Sequence, residues 1–388
     1  MSLYLYMMDG ISGSIVSNSN YTEIVEAHLN RKANLIFENI YGFDSTALSF
    51  AALVTGTNPS DFNVLGYRNS KYLKVEGNLI KELSDKNYRT VFISNNYCNN
   101  YTMFLDSFDK NLLFREQYPL PEISKLKSSQ QQVIFVHDLF TRDQNGQYSK
   151  GKFEYTMKEY KELIDVHFND ILPKSLRNLG FDSQNDDLIL FSDHGMTIGD
   201  ITKYGSKSDW ANPSLDFKSK IFCFCFFSNE SEMIIKDEPC TILSIHKLLK
   251  DKYINRTGLS DISYKKDNYI VNIGNSSIIK QDTCKLNQIA YFEPSDDSYT
   301  KYIFQINPLR AMSTKILNKA ESESKIIEDF ELQCPREAIT LLEKVKKLNQ
   351  KNLFVNLHAK YLNLGYMRHI LFILPMKIIS KFYKSIFN

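Results

Sequence analysis

Residues 188–195 read LILFSDHG, and residues 2–10 read SLYLYMMDG. Each is an apolar run of strand length that stops at an acidic residue and then a glycine. Short continuous apolar runs are the mark of strands covered on both faces. Working outward, the strand candidates are Leu3–Met8, Ala33–Phe37, Thr90–Ile93, Val133–Val136, Leu188–Phe191 and Ile221–Phe227. Between them lie helical patterns at Ser49–Leu53 and Leu79–Leu83. A longer one runs from Phe153 to Leu172, which Pro173 is expected to end or kink. The alternation predicts an α/β fold, a mostly parallel central sheet with helices on both faces. In such sheets ligands bind beyond the carboxyl ends of the strands, and the reactive residues fall there.

The texture changes near residue 255. Tyr269–Ile273, Gln288–Phe292 and Lys301–Gln305 read as strands of a smaller antiparallel sheet. Charged helix-like stretches follow at Lys315–Glu331 and from Arg336 to Leu348. The expected division is a catalytic core over 1–254, a smaller C-terminal α+β subdomain over 255–343, and a tail over 344–388. The tail has nine basic residues and no acidic one, interleaved with the apolar run Ile370–Leu374 and with Ile378, Ile379, Phe382 and Phe387. A basic amphipathic segment of this kind suits an anionic membrane surface. A helix docked on the protein itself or on a partner is the alternative.

Hydrophobic residues make up 43% of the 388, the composition of a globular protein, and the net charge of +2 offers no basic field for nucleic acid. Six cysteines lie far apart except for Cys223 and Cys225, which share one face of a strand. No second close pair completes a zinc clip, so all are read as reduced thiols. SLYLYMMDG lacks a basic n-region and a small-residue cleavage site, so a cytoplasmic location is expected.

Three strand ends carry the chemistry. Asp9 follows the first strand, Thr46 stands in GFDSTALSFAALVTG, and Asp193 and His194 end LILFSDHG. Two carboxylates, an imidazole and a hydroxyl form a ligand set for one divalent cation, Mn²⁺ first, with Mg²⁺, Zn²⁺ or Ca²⁺ as alternatives. Such a cation activates the Thr46 hydroxyl for attack on phosphorus. Taken singly, each piece has a plainer reading. Asp9 is also a turn or cap residue, Ser45 or Thr46 an N-cap, and His194 a buried core histidine. Their order and placement together are more specific.

These segments resemble the alkaline phosphatase/sulfatase superfamily. TALSFAALVTGTNP is similar to its nucleophile segment, DHGMTIGD (193–200) to its metal motif, and MMDG to its first acidic motif. The resemblance spans roughly residues 3–310. It implies a sulfatase-like core with Asp9, Thr46, Asp193 and His194 as metal ligands and Thr46 as nucleophile. Sulfatases oxidise Cys or Ser at that position to formylglycine and carry a following Arg. Threonine cannot be so oxidised, and Phe50 replaces the Arg. Thr46 with Ser49 instead resembles the phosphoglycerol and phosphoethanolamine transferase branch. The acidic and histidine ligands for a second metal are absent near His137, so one metal is expected.

The loop VHDLFTRDQNG aligns with a family loop that contacts substrate, so His137 and Arg142 are candidate phosphate contacts, with Lys203 and Lys207 beyond the metal motif. Arg fits bidentate phosphate contact. His137 as a strand-end core histidine and the lysines as solvated side chains remain open. The expected function is a metal-dependent phosphoryl or substituted-phosphoryl transferase or hydrolase. Its expected substrate is a glycan or lipid-linked precursor of a surface polymer, met by a peripheral enzyme at the inner face of the membrane. Alternatives are a soluble phosphodiesterase or phosphomonoesterase on small metabolites, and a catalytically silent sulfatase-like binding module.

Overall fold

In a computed structural model of the chain, side chains are described for residues 1–43, 46, 48–58, 77–95, 104–114, 119–123, 126, 130–139, 156–195, 219–262 and 264. At residues 47, 102, 103, 269–272, 287–294, 299–307, 310–317 and 325–327 the backbone alone is described. Arg142, Lys203, Lys207, the helix expected from Arg336 to Leu348 and the tail over 344–388 lie outside the described residues.

All six expected strands form. The chain opens with β1 (Ser2–Asp9), α1 (Gly13–Val16), α2 (Tyr21–Leu29), β2 (Leu35–Tyr41) and α3 (Thr46–Thr55). It continues through α4 (Leu79–Asp85), β3 (Arg89–Ser94), α5 (Thr102–Leu105), β4 (Lys110–Leu113) and β5 (Gln132–Leu139). After α6 (Met157–Val166) and α7 (Leu172–Asn178) come β6 (Asp187–Ser192), β7 (Lys220–Phe226), β8 (Ile234–Lys236), β9 (Cys240–Thr241) and α8 (Leu243–Leu249). The sheet order is β4-β3-β5-β1-β6-β7-β2-β8, with β9 also on β2. Pairing is parallel except around β7, which runs antiparallel to both β6 and β2.

Side chains alternate across the sheet, and β1 shows what that does. Leu3, Leu5 and Met7 point into one core with residues of α3, α4 and α8. Tyr4, Tyr6 and Met8 point into the other with α1, α2, α6 and α7. Both faces are therefore covered, which is why β1, β5 and β6 are apolar almost throughout. The Cys223 and Cys225 thiols sit 3.9 Å apart on one face of β7, and burial pushes the Cys223 thiol up.

A second sheet is antiparallel, in the order β10 (Tyr269–Asn272), β11 (Asn287–Pro294), β12 (Tyr299–Asn307), β13 (Arg310–Leu317) and β14 (Lys325–Ile327). Two sequence expectations are corrected here. The described residues of the charged stretch expected to be helical over Lys315–Glu331 are strands: Thr314, Lys315 and Ile316 pair with Ile327, Ile326 and Lys325. RAMSTKIL carries Thr314 and Ile316 at strand period, and that pattern outweighs its charges. Pro173, expected to end or kink the long helix, does not end it. A π-turn over His167–Ile171 precedes it, Pro173 sits in the first turn of α7, and the chain stays helical to Asn178. The π-turn changes the hydrogen-bond register directly before Pro173, with Leu172 N bonded to His167 O, and a residue without an N–H is accommodated at that break.

Candidate active site

Pleat parity and register assemble the site. Ser94 of β3 lies opposite His137 of β5, which lies opposite Met7 of β1, which lies opposite Phe191 of β6. Asp9 and Asp193 come two residues after Met7 and Phe191, so they continue that face. Ser94, His137, Asp9 and Asp193 thus all point toward the side of the sheet that α3 covers. That helix is apolar on nearly every side, as its sequence TALSFAALVT requires, and Leu48, Phe50, Ala51, Ala52, Leu53 and Val54 are buried. It ends at Gly56, whose φ of +68° and amide bond to Ala52 O make a left-handed cap.

Thr46, the first residue of α3, meets the strand ends. Its Oγ1 is 3.2 Å from Asp9 Oδ2 and 3.1 Å from His194 Nε2. His194 Nε2 is 3.7 Å from Asp9 Oδ1 and 3.4 Å from Asp193 Oδ2, while its Nδ1 meets Gly195 O at 2.8 Å. Asp193 Oδ1 accepts from the amides of Gly10 and His194 at 3.1 and 2.9 Å. The structure therefore brings together all four residues expected to hold a metal. Ligand atoms of Asp9, Asp193 and His194 lie within 4.8 Å of one another, the one such cluster among the described residues.

Charge is distributed unevenly over this cluster. Burial drives the Asp9 carboxyl up, but the hydrogen bond from His137, the neighbouring imidazoles and the Thr46 hydroxyl outweigh it and hold Asp9 below the usual range. Asp193 moves the other way, raised by burial and by the charge of Asp9 against the pull of His194. Asp193 Oδ2 is buried without a hydrogen bond. A buried carboxylate oxygen in that condition is costly unless a cation meets it. The residues present fit a divalent ion with hard oxygen and imidazole ligands.

Three further residues hold the frame, and the sequence reading missed the roles of all three. Ser49 Oγ donates to Asp193 O at 2.8 Å and accepts from Phe43 N at 3.0 Å. Gly42 is needed at the same point, because a Cβ there would stand 2.0 Å from Asp193 O. Tyr160 of α6 donates its hydroxyl to Gly10 O and accepts from Ser12 N, fixing the loop after Asp9. The spacing of Thr46 to Ser49 was a signal for the first; nothing local marks Tyr160.

His137 lies differently from a surface phosphate contact. It is fully buried, with Nε2 3.2 Å from Asp9 Oδ2 and Nδ1 3.1 Å from Ser94 Oγ. Phe50, where sulfatases carry Arg, is also fully buried, edge-on to Phe104 and Phe135 at ring distances of 5.6 and 4.9 Å.

A mostly parallel central sheet with helices on both faces, in this strand order, is the alkaline phosphatase/sulfatase-like fold. Solved structures bear this out. A protein in the alkaline phosphatase superfamily from Vibrio parahaemolyticus matches with a TM-score of 0.54 at 14% identity, over 92% of this chain and 87% of that one. Ps i-CgsB in complex with k-i-k-neocarrahexaose matches at 0.54 and 10% identity, over 90% and 93%. BT33494S-sulf, from glycosaminoglycan metabolism by Bacteroides thetaiotaomicron, matches at 0.51 and 12%, over 89% and 96%. No family model and no curated protein matches the chain. The likeness is one of fold.

Proposed function

We propose that the chain is a metal-dependent phosphoryl or substituted-phosphoryl transferase or hydrolase with Thr46 as its nucleophile. The observation that carries this reading is the setting of Thr46 Oγ1, at the first residue of a helix and within 3.2 Å of both Asp9 Oδ2 and His194 Nε2. Asp9, Asp193, His194 and Thr46 would hold one divalent ion, Mn²⁺ first. Bound there, the ion lowers the pKa of the hydroxyl and offsets phosphate charge. Thr46 Oγ1 would bond to phosphorus as the bond to the leaving oxygen breaks, its proton passing to that oxygen, and an acceptor hydroxyl or water would then take the phosphoryl group and return a proton to Thr46. The N-terminal end of α3, where Thr46 stands, favours the anion that collects there. Threonine also rules against formylglycine chemistry, and with it against ordinary sulfate-ester hydrolysis.

The substrate we propose is a glycan or lipid-linked precursor of a surface polymer. Arg142, Lys203 and Lys207 would contact its phosphate, and the basic tail over 344–388 would hold the enzyme on the anionic inner face of the membrane. The neocarrahexaose held by one structural neighbour supports a glycan. Among the described residues no helix is long and apolar enough to cross a membrane.

The test is release of nitrophenol from aryl phosphate mono- and diesters and from aryl sulfate, with Mn²⁺, Mg²⁺ or Zn²⁺ and with chelator. Metal-dependent turnover of a phosphoester, lost in Thr46→Ala and in Asp193→Ala, supports the reading. Turnover retained in Thr46→Ala moves the nucleophile elsewhere, and turnover of aryl sulfate alone sinks the phosphoryl chemistry.

A further inference from the structure

His137 sits behind the cluster rather than in front of it, and its surroundings say what it does. Ser94 and His137 are direct neighbours across β3 and β5, on the same face as Asp9. Both are fully buried, so neither presents a surface to a substrate. The Asp9 carboxylate is an acceptor only, so the contact at 3.2 Å requires the proton on His137 Nε2. In the neutral ring Nδ1 is then the acceptor, and the Ser94 hydroxyl 3.1 Å away is its donor. Ser94, His137, Asp9 and Thr46 thus form a line of contacts from the interior to the reacting hydroxyl, with Asp9 Oδ2 shared by His137 and Thr46.

We propose that His137, held in one tautomer by Ser94, is a positioning residue for Asp9: it fixes the rotation of the carboxylate so that the group faces Thr46 and His194. The inference rests on the reading of Asp9, Asp193 and His194 as a cation site. It replaces a contact between His137 and the substrate phosphate with one made to the protein's own ligand. Carboxylates that ligate metals are themselves held by hydrogen bonds, and loss of such a partner weakens metal binding about 10- to 100-fold.

The experiment is calorimetric titration of the full-length, chelator-treated protein with Mn²⁺, for wild type, His137→Ala, His137→Gln and Ser94→Ala. A weakening of about 10- to 100-fold in His137→Ala, largely recovered in His137→Gln, whose amide can donate from a similar reach, is the expected result. Thermal melting of the metal-free proteins reports whether each variant is folded. Unchanged Mn²⁺ affinity in folded His137→Ala overturns the inference while leaving the cation site standing. Glutamine no better than alanine overturns it too, because the donor is what is claimed. Should His137→Ala fail to fold, Ser94→Ala decides, and wild-type affinity there is the overturning outcome. A wild-type protein that binds no Mn²⁺ removes both this inference and the reading it rests on.

Discussion

The Ser49 hydroxyl donates to the main-chain carbonyl of Asp193 at 2.8 Å, so the helix that begins at Thr46 is fastened directly to the strand end that carries Asp193 and His194. The same oxygen accepts from Phe43 N, on the approach to that helix. One side chain thereby sets the spacing between the start of α3 at Thr46 and Asp193.

Ser49→Ala leaves the Phe43 amide and the Asp193 carbonyl buried without this partner. Each unsatisfied buried group costs about 1–3 kcal/mol. A lower urea midpoint is expected, together with a larger loss of turnover than of stability, because Asp193 is released from its tether to α3. Equal, small effects on both would show that Ser49 only fills space.

At Gly42 the tolerance is narrower. Alanine would put a Cβ 2.0 Å from Asp193 O, a backbone atom that cannot swing aside as a side chain does. Gly42→Ala is expected to disturb the Asp193 segment and abolish phosphoester turnover. The amide spectrum around residues 191–195 is the direct readout, and an unchanged spectrum would contradict the geometry.

Phe50 belongs to the core. Its ring packs against Phe92, Phe104 and Phe135. Phe50→Ala should cost about 3–5 kcal/mol in equilibrium unfolding. Phe50→Arg, which imitates the sulfatase residue, should be worse, since it buries an unpaired charge. Activity toward aryl sulfate in a folded Phe50→Arg protein would show that the pocket can be rebuilt, against expectation.

On the opposite face of β5, Asp138 accepts from Tyr6 OH and Asn95 Nδ2 and pairs with His167 Nε2 at 3.0 Å. Burial pushes this carboxyl up, but His167, Tyr6 and Asn95 outweigh it and hold it below the usual range. A carboxyl depressed in the folded state contributes stability that is fully present above its unfolded pKa, about 3.9. That contribution is lost as pH falls through the folded value. The stability gap between wild type and Asp138→Asn should therefore be widest above about pH 5 and shrink below about pH 4. Urea midpoints measured from pH 7 to 3 test this, and a gap that stays constant would refute it.

How much of this was legible in the sequence follows from where the information lies. Six of the nine strands of the first sheet were readable because each holds an apolar run, a local property, whereas the short edge strands β4, β8 and β9 carry no such run. Asp9, Thr46 and the Asp193–His194 pair were readable as a constellation because strand ends in a parallel sheet converge on one edge. The partnership of Ser94 with His137, and of Ser49 with Asp193, depends on register between segments 43 and 144 residues apart. Register is set by packing of the whole sheet. The strands at Arg310–Leu317 and Lys325–Ile327 were missed for the opposite reason. Their charges imitate an exposed helix, and only pairing with a neighbour reveals the extended chain.

The antiparallel strand β7 has a consequence for how the protein is made. β2, which leads into the helix of Thr46, has only β7, β8 and β9 as partners in its sheet, and the earliest of them begins at Lys220. At about 5–20 residues per second, the ribosome delivers that partner roughly 10–40 s after β2 itself. Thr46 is therefore translated well before the strand that docks its approach. Throughout that interval a nascent chain would carry Thr46 without the strand that holds β2 in the sheet.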